Sequence, residues 1–244
     1  MDKTVDFGSE RVTPGDKIRR VDGVFDVVVT RYDMMNDIMS LGTHRLFKRA
    51  AVEMARLRPG HRVLDLAGGT GDIANLAARR LGADGSVVLA DMNRAMLDHG
   101  RDRLLDGGAA NVAFVQAQAE ALPFPDAAFD AVLVAFGVRN FTDKEAGLAE
   151  MRRVLRDGGT VVVLEFARVV NPLLARAYDA FRSTWPAIGA AVVGTASPYR
   201  YLVESIDRHP DQGAFRLMME DAGFGEVEVH NLAAGAAAIH RGIR

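Results

Sequence analysis

A doubly wound, mostly parallel α/β sheet is the fold class this sequence predicts, and three observations carry the prediction. Five short, near-continuously apolar runs lie between residues 63 and 165, as strands covered on both faces require. Helix-length amphipathic stretches alternate with them, the pattern that packs helices against both faces of a parallel sheet. A glycine-rich turn, Gly68-Gly69-Thr70-Gly71, joins the first run to the helix after it.

Residues 1–22 read as a flexible N-terminal arm: charged, holding Gly and Pro, without periodicity. Residues 23–58 turn helical and are expected to form a cap. Val24, Phe25, Val28 and Val29 mark one apolar face and Leu46, Ala50, Met54 and Leu57 another, before Pro59-Gly60 breaks the chain. The apolar runs are 63–67, 87–91, 112–115, 131–135 and 161–165, with helices expected at 73–81 and 92–104. Thr142-Asp143-Lys144-Glu145 reads as a capping box opening the helix that carries Leu148, Met151 and Leu155. Asn171-Pro172 pairs an N-cap with proline at the first helical position. Segments 172–186 and 198–208 look helical and are expected to form a lid insertion over about 171–208. A further helix, 211–222, is closed by Gly223. Runs 226–230 and 236–240 alternate loosely and are expected to pair as edge strands, bringing the sheet to seven strands. Residues 23–244 thus read as one domain with a helical cap and a lid.

The 244 residues are 49% hydrophobic with a net charge of −2, enough apolar content for a sizeable core. That charge balance argues against a nucleic-acid partner, which demands a basic excess. Arg152, Arg153 and Arg156 cluster at helical spacing and read as a solvated face. With no cysteine, disulfides, thiolate metal sites and a cysteine nucleophile are excluded. The first twelve residues are polar, unlike a secretory signal. The longest uncharged run, 183–199, is too short and too rich in Gly, Pro and Ser to span a bilayer. A cytoplasmic location is the expectation.

The chemistry concentrates where the first run meets its helix. In open α/β sheets ligands dock beyond the carboxyl ends of the strands, and glycine lets a ligand approach the backbone. Asp91 ends the second run and can accept both hydroxyls of an adenosine ribose; it could equally cap the next helix. No Gly-Lys-Ser/Thr follows the turn, and the dinucleotide pattern lacks its third glycine. Asp72 would also repel a pyrophosphate. An acidic residue before the turn and another at the second strand tip suit a cationic ligand instead, S-adenosylmethionine. Asp65 supplies charge near its amino-acid end, or is satisfied by backbone donors in the turn. The segment 118–124 can read and cover an adenine, or be an ordinary loop. Arg139 and Asn140 are unusual polar residues after an apolar run, in a loop beside the expected methyl donor; a surface salt bridge is the plainer use of Arg139.

Several longer motifs then become recognisable: Tyr32-Asp33-Met34-Met35-Asn36-Asp37, His44-Arg45-Leu46-Phe47-Lys48, the segment 63–72, 119–124, Gly137-Val138-Arg139-Asn140, Tyr199-Arg200-Tyr201-Leu202 and His209-Pro210-Asp211-Gln212. On these residues the chain resembles the ubiquinone/menaquinone biosynthesis C-methyltransferase family, of the class I S-adenosylmethionine-dependent methyltransferases, from about Asp22 onward. The resemblance implies cofactor contacts at Thr70, Asp91, Gln118, Ala119 and Ala135. With the turn and its surroundings, the expected cofactor set is Asp65, Gly69, Thr70, Gly71, Asp91, Met92, Gln118, Ala119 and Ala135. Relatives often carry Asn at Gln118, Ser at Ala135 and Ser at Pro198. The resemblance implies methylation of a ring carbon of a polyprenylated benzoquinol, a demethylated menaquinol or both. It leaves open a homodimer, membership of a quinone-biosynthesis complex, and peripheral contact with the inner membrane.

Carbon methylation requires the ring carbon and the sulfonium methyl to be held about 3–3.5 Å apart and in line. Arg139 is expected near the quinol oxygens, stabilising a phenolate; being permanently protonated it is a poor base, so water or a carboxylate takes the proton. Tyr32 and Asn36 either orient the ring or pin the N-terminal region to the sheet. His209 and Asp211 are expected to cap a helix. No metal is required, and the six histidines show no ligand spacing. Trp185, Ile188, Val192 and Val193 could line a groove for the tail or meet a membrane, although a core role is favoured. Three rival readings stand beside this one: a methyltransferase for another phenolic or lipid acceptor, a non-catalytic cofactor-binding scaffold, and a nicotinamide dehydrogenase.

Overall fold

The computed structural model describes residues 4–244. A hairpin of β1 (Val5–Phe7) and β2 (Glu10–Val12) leads into α1 (Pro14–Val28), α2 (Tyr32–Ser40) and α3 (Thr43–Met54). The expected arm is therefore ordered structure from Thr4 onward; residues 1–3 lie outside the described residues. Thr13 caps α1 by accepting the Asp16 N–H, and Pro14 stands in its first turn. This helix escapes a hydrophobicity search because the anchor in its first turns is Lys17, which is buried and donates from Nζ to the Phe141 carbonyl at 2.7 Å. Helix α3 corrects a second expectation. Leu46 is 60% exposed, while His44, Lys48, Ala51 and Val52 face inward. Ala50, Met54 and Leu57 of the expected face do pack against the core, so Leu46 alone departs from it, while the buried histidine and lysine widen the inward face.

The alternating part follows: β3 (Arg62–Leu66), α4 (Asp72–Leu81), β4 (Ser86–Asp91), α5 (Arg94–Asp106), β5 (Val112–Gln116), β6 (Phe129–Ala135), α6 (Lys144–Val154) and β7 (Leu155–Phe166). Three further helices, α7 (Pro172–Arg182), α8 (Trp185–Val193) and α9 (Ser197–Arg208), precede α10 (Gln212–Asp221), β8 (Gly225–Leu232) and β9 (Ala237–Ile243). The cap of α6 is Asp143, which accepts the Ala146 N–H, rather than Thr142. The Thr142 N–H is instead taken by Glu120 Oε1 at 2.6 Å, one residue before the helix can begin. Leu155 belongs to β7, not to α6. Asn171 caps α7 as its sequence predicts, accepting from the Leu173 and Leu174 N–H groups, and Asp211 caps α10.

Among the described residues the strands form a seven-stranded sheet in the order β5-β4-β3-β6-β7-β9-β8. Strands β3 to β7 run parallel, with Leu64 paired to both Val88 and Val132; β9 is antiparallel to β7 and β8. The expectation of two edge strands at the end is half corrected: β8 is an edge, but β9 lies inside the sheet and buries Ala237 to Arg241. Its buried His240 and Arg241 break the apolar signature of an interior strand. The chain winds outward from β3 to β5 and then returns to β6, so a crevice opens beyond the carboxyl ends of β3 and β6.

Alternate residues of each strand feed opposite faces. Val63, Leu89, Leu133 and Val162 pack with α3 and α4, whereas Leu64, Val132, Val161 and Val163 pack with α6 and α10. A third apolar cluster lies off the sheet. It joins Val28, Met35 and Met39 of α1 and α2 to Trp185, Tyr199 and Ile206 of α8 and α9. Trp185 is thus core, while Ile188, Val192 and Val193 pack against this cluster partly buried.

Candidate functional site

Two hollows meet at the switch point. The first is a narrow cleft of about 80 Å³ at the strand tips, lined by Ala67 and Gly69 after β3, Asp91 to Asn93 after β4, Ala117, Ala119 and Glu120 after β5, and Ala135 to Gly137 after β6. Val21 and Phe25 of α1 close it from outside. Gly69 and Gly71 both take left-handed backbone angles, φ +53° and +82°. A side chain on Gly71 would stand 2.7 Å from Leu104 Cδ1, so this glycine is a packing requirement.

Asp91 organises the cleft. Its Oδ2 accepts the Gly69 N–H and its Oδ1 the Asn93 N–H, both at 2.8 Å, which leaves further lone pairs facing the hollow. Burial, opposed by those bonds but aided by the neighbouring Asp22 charge, pushes its pKa up to about 6. Asn93 ties the cleft to α1: its amide donates to Asp22 Oδ1 at 2.7 Å and Asp26 Oδ1 at 2.8 Å, while its own oxygen caps α5 at Met96.

Of the expected cofactor residues, Gly69, Asp91, Met92, Ala119 and Ala135 line this cleft. Asp65, Thr70, Gly71 and Gln118 do not. Asp65 is fully buried beneath the turn, where Oδ2 accepts the Ala74 N–H at 2.8 Å; burial raises its pKa to about 8. Its backbone donor therefore lies in the first turn of α4, just beyond the glycine turn. Thr70 donates from its hydroxyl to Asp33 Oδ1 at 3.1 Å, and Gln118 points to solvent.

The second hollow is a chamber of about 420 Å³ between α1–α3 and α7–α9. Its walls are apolar and aromatic: Phe25, Met35, Met39, Phe47, Phe166, Trp185 and Tyr199 among them. Polar groups enter it at Tyr32, Asn36, His44, Lys48 and Arg139. The sequence candidates Arg139, Tyr32 and Asn36 are therefore brought together here. Phe25, Tyr32 and Phe136 line both hollows and form the partition. Phe136 sits in the left-handed region at φ +57°, uncommon for a bulky residue, held there by its N–H to the Leu164 carbonyl and by Arg139, which donates to its carbonyl.

A carboxylate-lined cleft and an aromatic chamber thus share one thin partition at the switch point of an α/β sheet. The ubiE/COQ5 methyltransferase family matches residues 14–244. Two proteins called ubiquinone/menaquinone biosynthesis C-methyltransferase UbiE are close relatives in sequence. That of Ectopseudomonas mendocina is 52% identical over 100% of this chain and 96% of its own length. That of Cellvibrio japonicus is 50% identical over 99% of this chain and 98% of its own. The chain belongs to the ubiE/COQ5 methyltransferase family. A solved SAM-dependent methyltransferase from Aquifex aeolicus shares the fold, with a TM-score of 0.60 at 17% identity over 86% of this chain and 97% of that one.

Several residues of this family member's site escape sequence reasoning. Glu165 is the clearest. Almost fully buried, it accepts from Arg139 Nη1 at 3.1 Å and from the Arg139 backbone N–H at 3.2 Å. The guanidinium also lies 5.3 Å from the Phe166 ring centre. The surface salt bridge weighed for Arg139 is thus a buried one. A charge ending an apolar run was the available signal. A second network ties α2, α3, α4 and α5 beside the chamber: Arg103 bridges Asp33 and Asp72, and Lys48 reaches Asp72 Oδ2 at 2.7 Å. These partners stand far apart in sequence, and only the fold brings them together.

Proposed function

We propose that this chain transfers the sulfonium methyl of S-adenosylmethionine to a ring carbon of a polyprenylated benzoquinol, a demethylated menaquinol or both. The observation that carries this reading is the pairing of an acid-lined cleft with an aromatic chamber across one thin partition. The names of the close relatives support the substrate class.

The cleft residues fit an adenosyl sulfonium. Asp91 keeps lone pairs for ribose hydroxyls, and Met92, Met96, Ala117 and Ala119 offer an apolar slot for a flat base. Asp22, Asp26 and Asp91 set a negative field for a cationic ligand. The free volume there is about 80 Å³, below the ~300 Å³ of ordinary ligand pockets, so the cleft has to widen on binding. When bound, the sulfonium supplies an electrophilic methyl.

The chain's own residues do the rest. Tyr32 and Asn36 present polar groups to a ring in the chamber, and the apolar walls exclude water and accept the first part of a prenyl tail. Arg139, fixed by Glu165, places fixed positive charge where a quinol oxygen becomes phenolate. Leu41 and Leu174 line the chamber yet are 81% and 49% exposed, forming an apolar rim suited to meeting the bilayer that holds the tail. No helix among the described residues is long and apolar enough to cross a membrane.

The test is methyl transfer from labelled cofactor to a panel of short-tailed benzoquinols, demethylated naphthoquinols, catechols and sterols. Label is expected in a ring carbon of the quinols. Transfer confined to catechols or sterols would overturn the substrate class.

A further inference from the structure

We infer that His44 is the proton acceptor of this methylation, taking the quinol hydroxyl proton at Nε2. The inference rests on the quinol reading above and supplies the base that Arg139 cannot be.

His44 is buried, 6% exposed, on the first turn of α3, and it lines the acceptor chamber. Its neighbours fix its tautomer. Ser40 Oγ lies 2.6 Å from the Asn36 backbone carbonyl, which has no proton, so the hydroxyl hydrogen is spent there. Ser40 Oγ also lies 2.8 Å from His44 Nδ1. With its own hydrogen committed, the hydroxyl must accept, and Nδ1 carries the imidazole proton. Asp37 Oδ1, 3.7 Å from Nδ1, favours the same tautomer and would stabilise the imidazolium. The lone pair is left on Nε2, for which no protein partner exists among the described residues. A serine backed by a carboxylate thus orients a histidine, as acid–base sites require.

The charged groups around the ring come from three helices: Lys48 and Arg45 on α3, Asp37 on α2 and Asp72 on α4. Burial, with Lys48 adding to it, lowers the His44 pKa below the ordinary imidazole value despite both aspartates. The ring is accordingly neutral at pH 7, with its Nε2 lone pair free to accept a proton.

The proton account balances. Nε2 takes the hydroxyl proton, leaving a phenolate. The ortho carbon forms its bond to the methyl as the methyl–sulfur bond breaks, giving a thioether and a dienone. The ring C–H proton then moves to the dienone oxygen through water, restoring the methylated quinol. One proton remains on His44 and leaves to solvent.

The experiment is single-turnover methyl transfer to a short-tailed quinol, at saturating cofactor so that Asp91 titration does not intrude. His44→Gln is expected to lower the rate about 100-fold, with little change in quinol affinity and without the wild-type decline at acid pH. Added imidazole should restore part of the rate to His44→Ala. Ser40→Ala keeps the ring and loses only its orientation; a three- to tenfold lower rate is expected, and it serves as the test should the histidine variants fail to fold. A His44→Gln protein within threefold of wild type, with the acid decline intact, overturns the assignment; so does a Ser40→Ala protein at the full wild-type rate. Wild-type protein that methylates no quinol would sink the underlying reading, and the role of His44 with it.

Discussion

The cleft and the chamber are built by different means. Apart from Val21, Phe25, Tyr32 and Met96, the cleft is walled by the carboxyl ends of parallel strands and the loops that leave them, so its geometry is set mainly by the paired sheet. The chamber is walled by helices drawn from both ends of the chain, and the sheet with its loops contributes Phe136, Arg139, Phe166 and Ala237 to the lining. On the proposed assignment, rigidity belongs on the side of the common methyl donor and adaptable helix packing on the side of a bulky lipid. The contrast extends to charge, since carboxylates face the cleft and aromatic rings face the chamber.

The most severe way to break this contrast is at the contact between the two. Arg139→Ala is expected to lower turnover by about 10²–10³ while cofactor affinity stays within about threefold, measured by transfer assay and calorimetry. Leaving Glu165 buried without its partner should also cost about 3–5 kcal/mol in denaturant unfolding. Arg139→Met combined with Glu165→Gln should recover much of that stability and none of the turnover.

A smaller effect, confined to the donor side, is expected of Asp91→Asn. Cofactor affinity should weaken about 10- to 100-fold, the worth of one or two charge-assisted hydrogen bonds, with quinol binding untouched. Because the carboxylate form does the binding, wild-type affinity should fall as pH drops through about 6. Stability runs the other way. A folded pKa of about 6 against an ordinary 3.8 means the fold holds this proton more tightly than the unfolded chain. The contribution of Asp91 to cofactor-free stability therefore declines as pH rises from about 4 to about 6. Opposite slopes in the two measurements would sharpen the assignment; parallel slopes would refute it.

The smallest effect is on the acceptor side alone. A methyl on Gly189 of α8 would fall 1.9 Å from Tyr199 Cδ2, so Gly189→Ala must push α8 from α9. A loss of about 1–3 kcal/mol is expected, with a several-fold higher quinol KM and an unchanged cofactor Kd. A change in cofactor affinity would show that the two compartments are not separately built.

The same division explains what the sequence discloses. The sheet and the cleft are legible because each is local: an apolar run, a turn, and an acidic residue at a strand tip lie within a few residues of one another. Asp91 and Gly69 were accessible in this way. Asp65 and Thr70 belong to the same motif, yet which atoms face the ligand and which face the turn depends on side-chain direction, and spacing does not encode that. The chamber was largely hidden. Tyr32 and Asn36 are visible as candidates and His44 and Lys48 stand in a recognisable motif, but what His44, Lys48 and Glu165 bond to is not, because their partners lie on other elements. Buried polar side chains also mask the apolar pattern, hiding α1 at Lys17 and the interior place of β9 at His240.

The Thr70 hydroxyl bonded to Asp33 fastens the glycine turn, whose Gly69 lines the cleft, to α2, whose Tyr32 and Asn36 line the chamber, with Arg103 and Lys48 as struts. Any lipid that shifts α2 on entering must tug on the turn beneath the nucleoside. Linkage then obliges the nucleoside to return the favour: whatever factor one guest adds to the grip on its companion, the companion adds in equal measure.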